Sequence, residues 1–302
     1  MTERKKGEKG STPLEDPGKK TCFPRRRQSK EEKKMEKLYL HQWTWAQVKE
    51  YLRKDSVIVL PFGSTEQHGL HLPLGNDALV AIRLAEDAAR ITKTVVAPPC
   101  WFGWSPHHMA YPGTISITPE TLTRLLYEVL RSLIYHGFKR LIVINGHRLA
   151  NLPPLQIAAT RICNETGAYV TIADPFFLAD TVSRKIKESP PGGIGHAEEL
   201  ETSHMLHIFP ELVNLRKAVK NLSSKKKFHV SDPYVIADRA FTSNSLESFR
   251  KATEPSGVRG DPTLSSADKG RKLHRALVDN LVELIKLARK EKVVLKPVTP
   301  CF

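Results

Sequence analysis

Two rhythms of apolar residues run along this chain. Short, largely apolar runs at Val57–Leu60, Thr94–Ala97, Leu141–Ile144 and Tyr169–Ala173 have the length and β-branched content of buried strands. Between them the apolar positions recur at helical spacing. Thr44 can cap a short helix through Leu52, with Trp45, Val48, Tyr51 and Leu52 on one side. Asp77 to Arg90 has no Gly or Pro and spaces Leu79, Ile82, Leu84 and Ala85 as a helix does. Thr118-Pro119-Glu120 is a helix start: a capping hydroxyl, a proline at the first position and an acid in the first turn. Leu122, Leu126, Val129 and Leu133 continue that pattern until Gly137. An alanine-rich helix is expected around Leu155–Thr166, another at Ala197–Ile208, and a last one from Ser265 or Ser266 to about Arg289. Residues 178–195 read as loop, and residues 219–262 show little periodicity. Strand–helix–strand alternation implies right-handed crossovers and a mainly parallel sheet, an α/β fold.

Composition bounds the picture. The chain has 302 residues, 40% of them hydrophobic, enough for one sizeable core. No run reaches the roughly 20 apolar residues of a membrane span, and the first residues lack the apolar stretch of a signal peptide. The four cysteines are scattered without a C-x-x-C pair, which points to a reducing, cytoplasmic setting. Net charge is +15, but residues 1–35 hold twelve Lys and Arg against six Asp and Glu, so +6 of it sits in one polar segment. Residues 1–36 therefore read as a basic disordered tail, and residues 37–302 as a single domain. No zinc-finger spacing or aromatic RNA-binding signature accompanies the charge, so nucleic acid is not the expected partner.

The chemistry concentrates after the first strand, in G-S-T-E-Q-H-G-L-H-L-P-L-G-N-D. Glu66 and His68 stand two apart and Asp77 follows nine residues after the histidine. Carboxylate and imidazole in that spacing suit Zn, Mn or Fe, and strand carboxyl ends are where open α/β sheets bind ligands. Three further segments carry metal-competent side chains: Pro106-His107-His108, Asn145-Gly146-His147, and His196 with Glu198, Glu199 and Glu201.

These motifs, in this order, resemble the creatininase (creatinine amidohydrolase) family, from about Leu38 to Leu287. Gly63–Gly69, His71–Asp77, Ser105–His108, Asn145–His147, Glu201–Ser203 and the Gly260–Thr263 turn carry the resemblance. It implies a three-layer α/β sandwich around a mostly parallel sheet, two divalent ions per chain, and a homohexamer acting on a small molecule. Glu66 and His147 would bind one ion, His68 the other, and Asp77 both. Glu201 is the candidate for the remaining carboxylate, with Glu198 or Glu199 as alternatives, and His196 would move protons. Water activated between two such ions attacks a carbonyl without a Ser or Cys nucleophile.

Two departures bear on substrate. Relatives commonly continue the second histidine as G-G-N, whereas here the run is His147-Arg148-Leu149-Ala150-Asn151. Arg148 can bind an anionic group in a bidentate way, and Asn151 and His108 are further candidate substrate contacts. Creatinine-acting relatives close the pocket with tryptophans in the stretch before the His-Glu motif. Residues 171–195 have Phe176 and Phe177 and no Trp, which argues against creatinine itself. The expected activity is hydrolysis of a lactam or formamide. The alternatives are C–C cleavage of a cyclic diketone from inositol breakdown, or a non-catalytic maturation partner.

Overall fold

A computed structural model describes residues 37–300 except 224–227, 229–231, 236–239, 241–242 and 244. The expected tail, 1–36, lies outside the described residues; the chain divides after Glu36. Thr44 caps α1 (Trp45–Leu52) through its side chain, which accepts from the Gln47 amide. Strand β1 (Val57–Phe62) leads through the motif loop to α2 (Asn76–Thr92) and the two-residue β2 (Val95–Val96). Helix α3 (Pro119–Tyr135) precedes β3 (Arg140–Asn145), α4 (Arg148–Thr166) and β4 (Tyr169–Ala173). There follow α5 (Pro175–Leu178), α6 (Asp180–Ile186), α7 (Glu199–Ile208), α8 (Leu246–Thr253) and α9 (Ala267–Lys290).

All pairings in the sheet are parallel, in the order β2-β1-β3-β4. Strand side chains alternate between faces. Val57, Val59, Ile142 and Ile144 pack against α2, α7 and α9, and Ile58, Leu60, Leu141 and Val143 against α3 and α4. The result is a three-layer α/β/α sandwich.

Several boundaries differ from expectation. β1 continues through Pro61 and Phe62, because β2 has ended and no neighbour there needs the amide that proline lacks. α4 begins seven residues early, at Arg148, and carries Pro153 and Pro154 inside it; Asn145 Nδ2 donates to the Arg148 carbonyl in its first turn. Residues 180–186, expected as loop, form α6, clamped by an Arg184–Asp180 ion pair of 2.8 Å. α7 starts at Glu199, because Ala197 takes φ of 52°, a left-handed conformation that cannot continue a helix.

Two glycines fix how the first motif meets the sheet. A Cβ on Gly63 would lie 2.3 Å from Ala78 Cα, and one on Gly146 2.1 Å from the Asp77 carbonyl. Their absence lets the first turn of α2 rest directly on the ends of β1 and β3, which delivers Asp77 between the two strand-end loops.

Candidate metal centre

Asp77 sits at the centre, buried in the first turn of α2, where the helix dipole favours a negative group. Each of its oxygens faces a different histidine. Oδ1 is 2.9 Å from His68 Nε2, and Oδ2 is 3.0 Å from His147 Nδ1. Ser64 Oγ donates to Oδ2 at 2.7 Å and Asn76 Nδ2 to Oδ1 at 3.1 Å. Glu66, at the end of the β1 loop, places Oε2 3.2 Å from His147 Nε2 and Oε1 3.4 Å from His108 Nε2. Neither carboxylate oxygen of this fully buried glutamate has a hydrogen-bond partner with acceptable geometry.

Two triads of ligand atoms emerge, Glu66–Asp77–His147 and His68–Asp77–Glu201, with the atoms of each within 4.8 Å of one another. They share Asp77. A third group, Glu66–His68–His196, meets the same distance limit. The three glutamates of the His-Glu segment take separate positions. Glu198 caps α7, accepting from the Leu200 and Glu201 amides at 2.8 and 3.1 Å. Glu199 pairs with Lys269 at 2.6 Å. Glu201 is brought to the His68 side of the centre, its Oε2 accepting from the Ala197 amide at 2.6 Å.

The electrostatics follow from burying two carboxylates and several imidazoles together. Burial, helped by Asp77, raises Glu66 to about 7 against the pull of His147 and His68. Burial also raises Glu201. Desolvation works against charge on His68 and His147, but Asp77 and Glu201 raise the first to about 10 and Glu66 and Asp77 the second to about 9. The same histidines hold Asp77 well below the usual carboxylate range despite its burial. Buried, partly unsatisfied carboxylates with imidazole neighbours are a donor set that fits divalent ions.

His196 lies at the rim. Its antiparallel pairing with Arg259, in the unreadable 219–262 region, positions it, and its Nε2 lies 2.7 Å from the Gln67 carbonyl. That carbonyl accepts, whereas Gln67 Nε2, 2.9 Å from the same ring nitrogen, donates; the other ring nitrogen, Nδ1, lies 3.8 Å from Glu66 Oε1. Burial and His68 push its pKa well below the usual value. His108 is buried, with Nδ1 2.9 Å from Gln67 Nε2.

A cavity of about 70 Å³ opens beside Asp77 and Glu201, its wall including Arg148, Asp174 and Phe176. Arg148 is held there: its guanidinium lies 4.0 Å from the Phe177 ring centre, and Nε is 3.5 Å from Asp174 Oδ2. Asn151 is not part of that wall. Its Nδ2 donates to the Gly63 carbonyl at 3.0 Å and its Oδ1 accepts from the Trp104 amide at 2.9 Å. It braces the β1 loop against the Trp104 loop. Sequence reasoning passed over Ser64, Asn76 and Gln67, although Asn76 and Gln67 adjoin candidate ligands and Ser64 lies two residues before one, in a motif where polar residues in a buried loop are themselves a signal. It also passed over Asp174, which had no motif to mark it.

A family model described as creatinine amidohydrolase (creatininase) matches residues 41–285. This chain belongs to the creatininase family. It is 30% identical over 262 residues to the 3-dehydro-scyllo-inosose hydrolase of Thermotoga maritima, covering 82% of this chain and 83% of that protein. It is 33% identical over 241 residues to the mycofactocin precursor peptide peptidase of Mycobacterium ulcerans, covering 76% and 84%. A solved creatinine amidohydrolase (creatininase) superposes with a TM-score of 0.71 at 22% identity, covering 85% of this chain and all of that one, which shows the shared fold. The named relatives are hydrolases. Among the described residues no helix is long and apolar enough to cross a membrane.

Proposed function

We propose that this protein is a two-metal hydrolase that attacks a carbonyl of a small polar substrate. The observation that carries the reading is Asp77, whose two oxygens each face a different histidine within two ligand triads. Glu66 and His147 would hold one ion, His68 and Glu201 the other, and Asp77 would join them. Two divalent ions there would supply an activated water and polarise the carbonyl. Solved creatininases named as manganese and zinc–zinc forms support Mn or Zn, and Fe suits the same donors.

The chain's own groups do the rest. His196, with Nδ1 on the Glu66 side, would accept a proton and return it to the leaving group. Glu201 is the second acid–base candidate. Arg148, fixed by Phe177 and Asp174, orients a polar or anionic part of the substrate, and His108 closes the Glu66 side. The bond we assign is carbon–nitrogen, in a lactam or formamide. The peptidase relative supports that class. The resemblance to the Thermotoga maritima hydrolase favours a second reading, a keto-inositol ring opened at a carbon–carbon bond by the same attack. Creatinine is disfavoured, since residues 171–195 hold Phe176 and Phe177 and no Trp, whereas the resemblance implies pocket tryptophans in that stretch for creatinine-acting relatives. A homo-oligomer, a hexamer by resemblance, completes the proposal and is checked by light scattering.

The test is elemental analysis of the purified protein, followed by assay of the Mn- and Zn-loaded forms against lactams, formamides and keto-inositols. About two ions per chain are expected, with turnover of one class. A protein that takes up no metal after incubation with either ion overturns the reading and brings forward a non-catalytic role.

A further inference from the structure

The cavity beside Asp77 and Glu201 has a second end. His204, one turn after Glu201 on α7, also lines it. This histidine is buried, and its Nε2 lies 3.0 Å from Nδ1 of His274 on α9. His274 Nε2 in turn lies 3.1 Å from Oδ2 of Asp87 on α2. Asp87 is partly exposed, and its Oδ1 pairs with Arg90 at 2.6 Å. We propose that His204, His274 and Asp87 form a proton relay between the hydrolytic cavity and the surface.

Hydrogen-bond chemistry fixes the direction in which the chain is set. An ionised carboxylate only accepts, so His274 Nε2 bears the proton it donates to Asp87. A neutral His274 then has a bare Nδ1, which accepts the Nε2 proton of His204. That leaves His204 Nδ1 bare, a base on a ring that lines the cavity. A proton arriving at His204 Nδ1 releases the Nε2 proton to His274 Nδ1, and His274 releases its Nε2 proton to Asp87 and then to water. One proton enters and one leaves. Reverse passage resets both rings, so the device carries protons either way. A cavity of about 70 Å³ accommodates several waters to join His204 to the reacting groups.

The surroundings keep both rings neutral, as a relay requires. Burial, with His274 and His207, lowers His204 well below the usual value. Burial lowers His274 too, against the opposing pull of Asp87. Around the pair stand Arg83 and Arg90 on α2, His207 on α7 and Arg271 on α9, and the wall of the cavity that His204 lines adds Asp77, Arg148, Asp174, Glu198 and Glu201. Arg83 opposes charge on His274, and Arg83 and Arg271 oppose it on His207. Asp87 and His274 act through His204 and are positioning residues.

The relay rests on the hydrolase reading of the cavity, and the experiment separates the two. Metal uptake at protonated ligands displaces protons. Proton release on mixing the full-length protein with Mn²⁺ is followed by an indicator dye in weak buffer. His274→Gln can keep both hydrogen bonds but cannot carry a proton; Asp87→Asn serves as the second variant should the first not fold. The relay predicts unchanged metal stoichiometry, release slowed at least ~tenfold in either variant, and recovery with added imidazole. Release as fast as wild type in a folded variant overturns the relay and leaves these residues as a tie between helices. Nitrogen chemical shifts of the wild-type histidines give a check without metal: protons on Nε2 of His204 and His274 are expected, and a proton on His204 Nδ1 overturns the proposal. A wild type that binds no Mn²⁺ and releases no protons overturns the hydrolase reading, and the relay with it.

Discussion

Glu66 and Glu199 are both fully buried glutamates, and they differ in what surrounds them. Glu199 accepts from Lys269 Nζ at 2.6 Å, from the Glu188 amide at 2.9 Å and from the Ser189 amide at 2.8 Å. Those donors hold its pKa down despite the cost of burial. Glu66 has imidazoles and the Ser105 hydroxyl nearby, neither oxygen in a well-formed hydrogen bond, and burial drives its pKa up. A buried carboxylate with a full set of donors is part of the scaffold; one left short, among other candidate ligands, has the chemistry that suits a cation. The two sites are joined by α7, whose first turn carries Glu199 toward Lys269 and Glu201 toward His68.

The comparison breaks first at Asp77. Asp77→Ala should take metal content from about two ions per chain to below one and abolish hydrolysis. Elemental analysis checks it, and two retained ions would sink the shared-ligand assignment. Glu199→Ala leaves the Lys269 ammonium with Glu188 Oε1 at 3.1 Å and the Leu264 carbonyl at 2.7 Å but removes its buried partner, so denaturant unfolding should show a loss of ~1–3 kcal/mol, with metal stoichiometry of the folded protein intact. Glu66→Gln should do the reverse, removing metal while costing the metal-free protein little. Equal stability losses in the two variants would erase the distinction between the sites.

A smaller effect is pH-dependent. His68 and His147, raised to about 10 and about 9, each carry a proton at neutrality that an incoming cation must displace. Apparent metal affinity should therefore climb as pH rises from neutrality and level off above about 10. Calorimetry in buffers of different ionisation enthalpy measures the released protons; a flat profile contradicts the protonated cluster. The mildest change is Ser64→Ala, which removes the 2.7 Å bond to Asp77 Oδ2. Loss of such a supporting hydrogen bond weakens metal binding by ~10-fold, measurable by chelator competition.

Particular residues show how far the chain could be read. The strands were legible because Val57–Leu60 and Leu141–Ile144 are buried on both faces and need no alternation. Helix α3 was legible from its cap and its apolar stripe. The start of α4 was not, because Pro153 and Pro154 read as a break, whereas the helix tolerates them behind a first turn tied to Asn145. Asn151 was misplaced for the same reason: a residue expected in a loop lies in that helix, with both ends of its amide on backbone.

The sequence by itself determined the alternation of strands and helices, the donor types, and the order in which they reach the strand ends. Local spacing and hydrophobic burial suffice for those. Only the tertiary structure decided which of Glu198, Glu199 and Glu201 joins the centre. Successive helical positions turn by about 100°, so neighbours in the chain face a cap, a lysine and a histidine, and the packing of α7 on α9 and α2 chooses among them. It alone also placed Asp87 beside His274, 187 residues apart in the chain, since no local pattern encodes a contact between two helices.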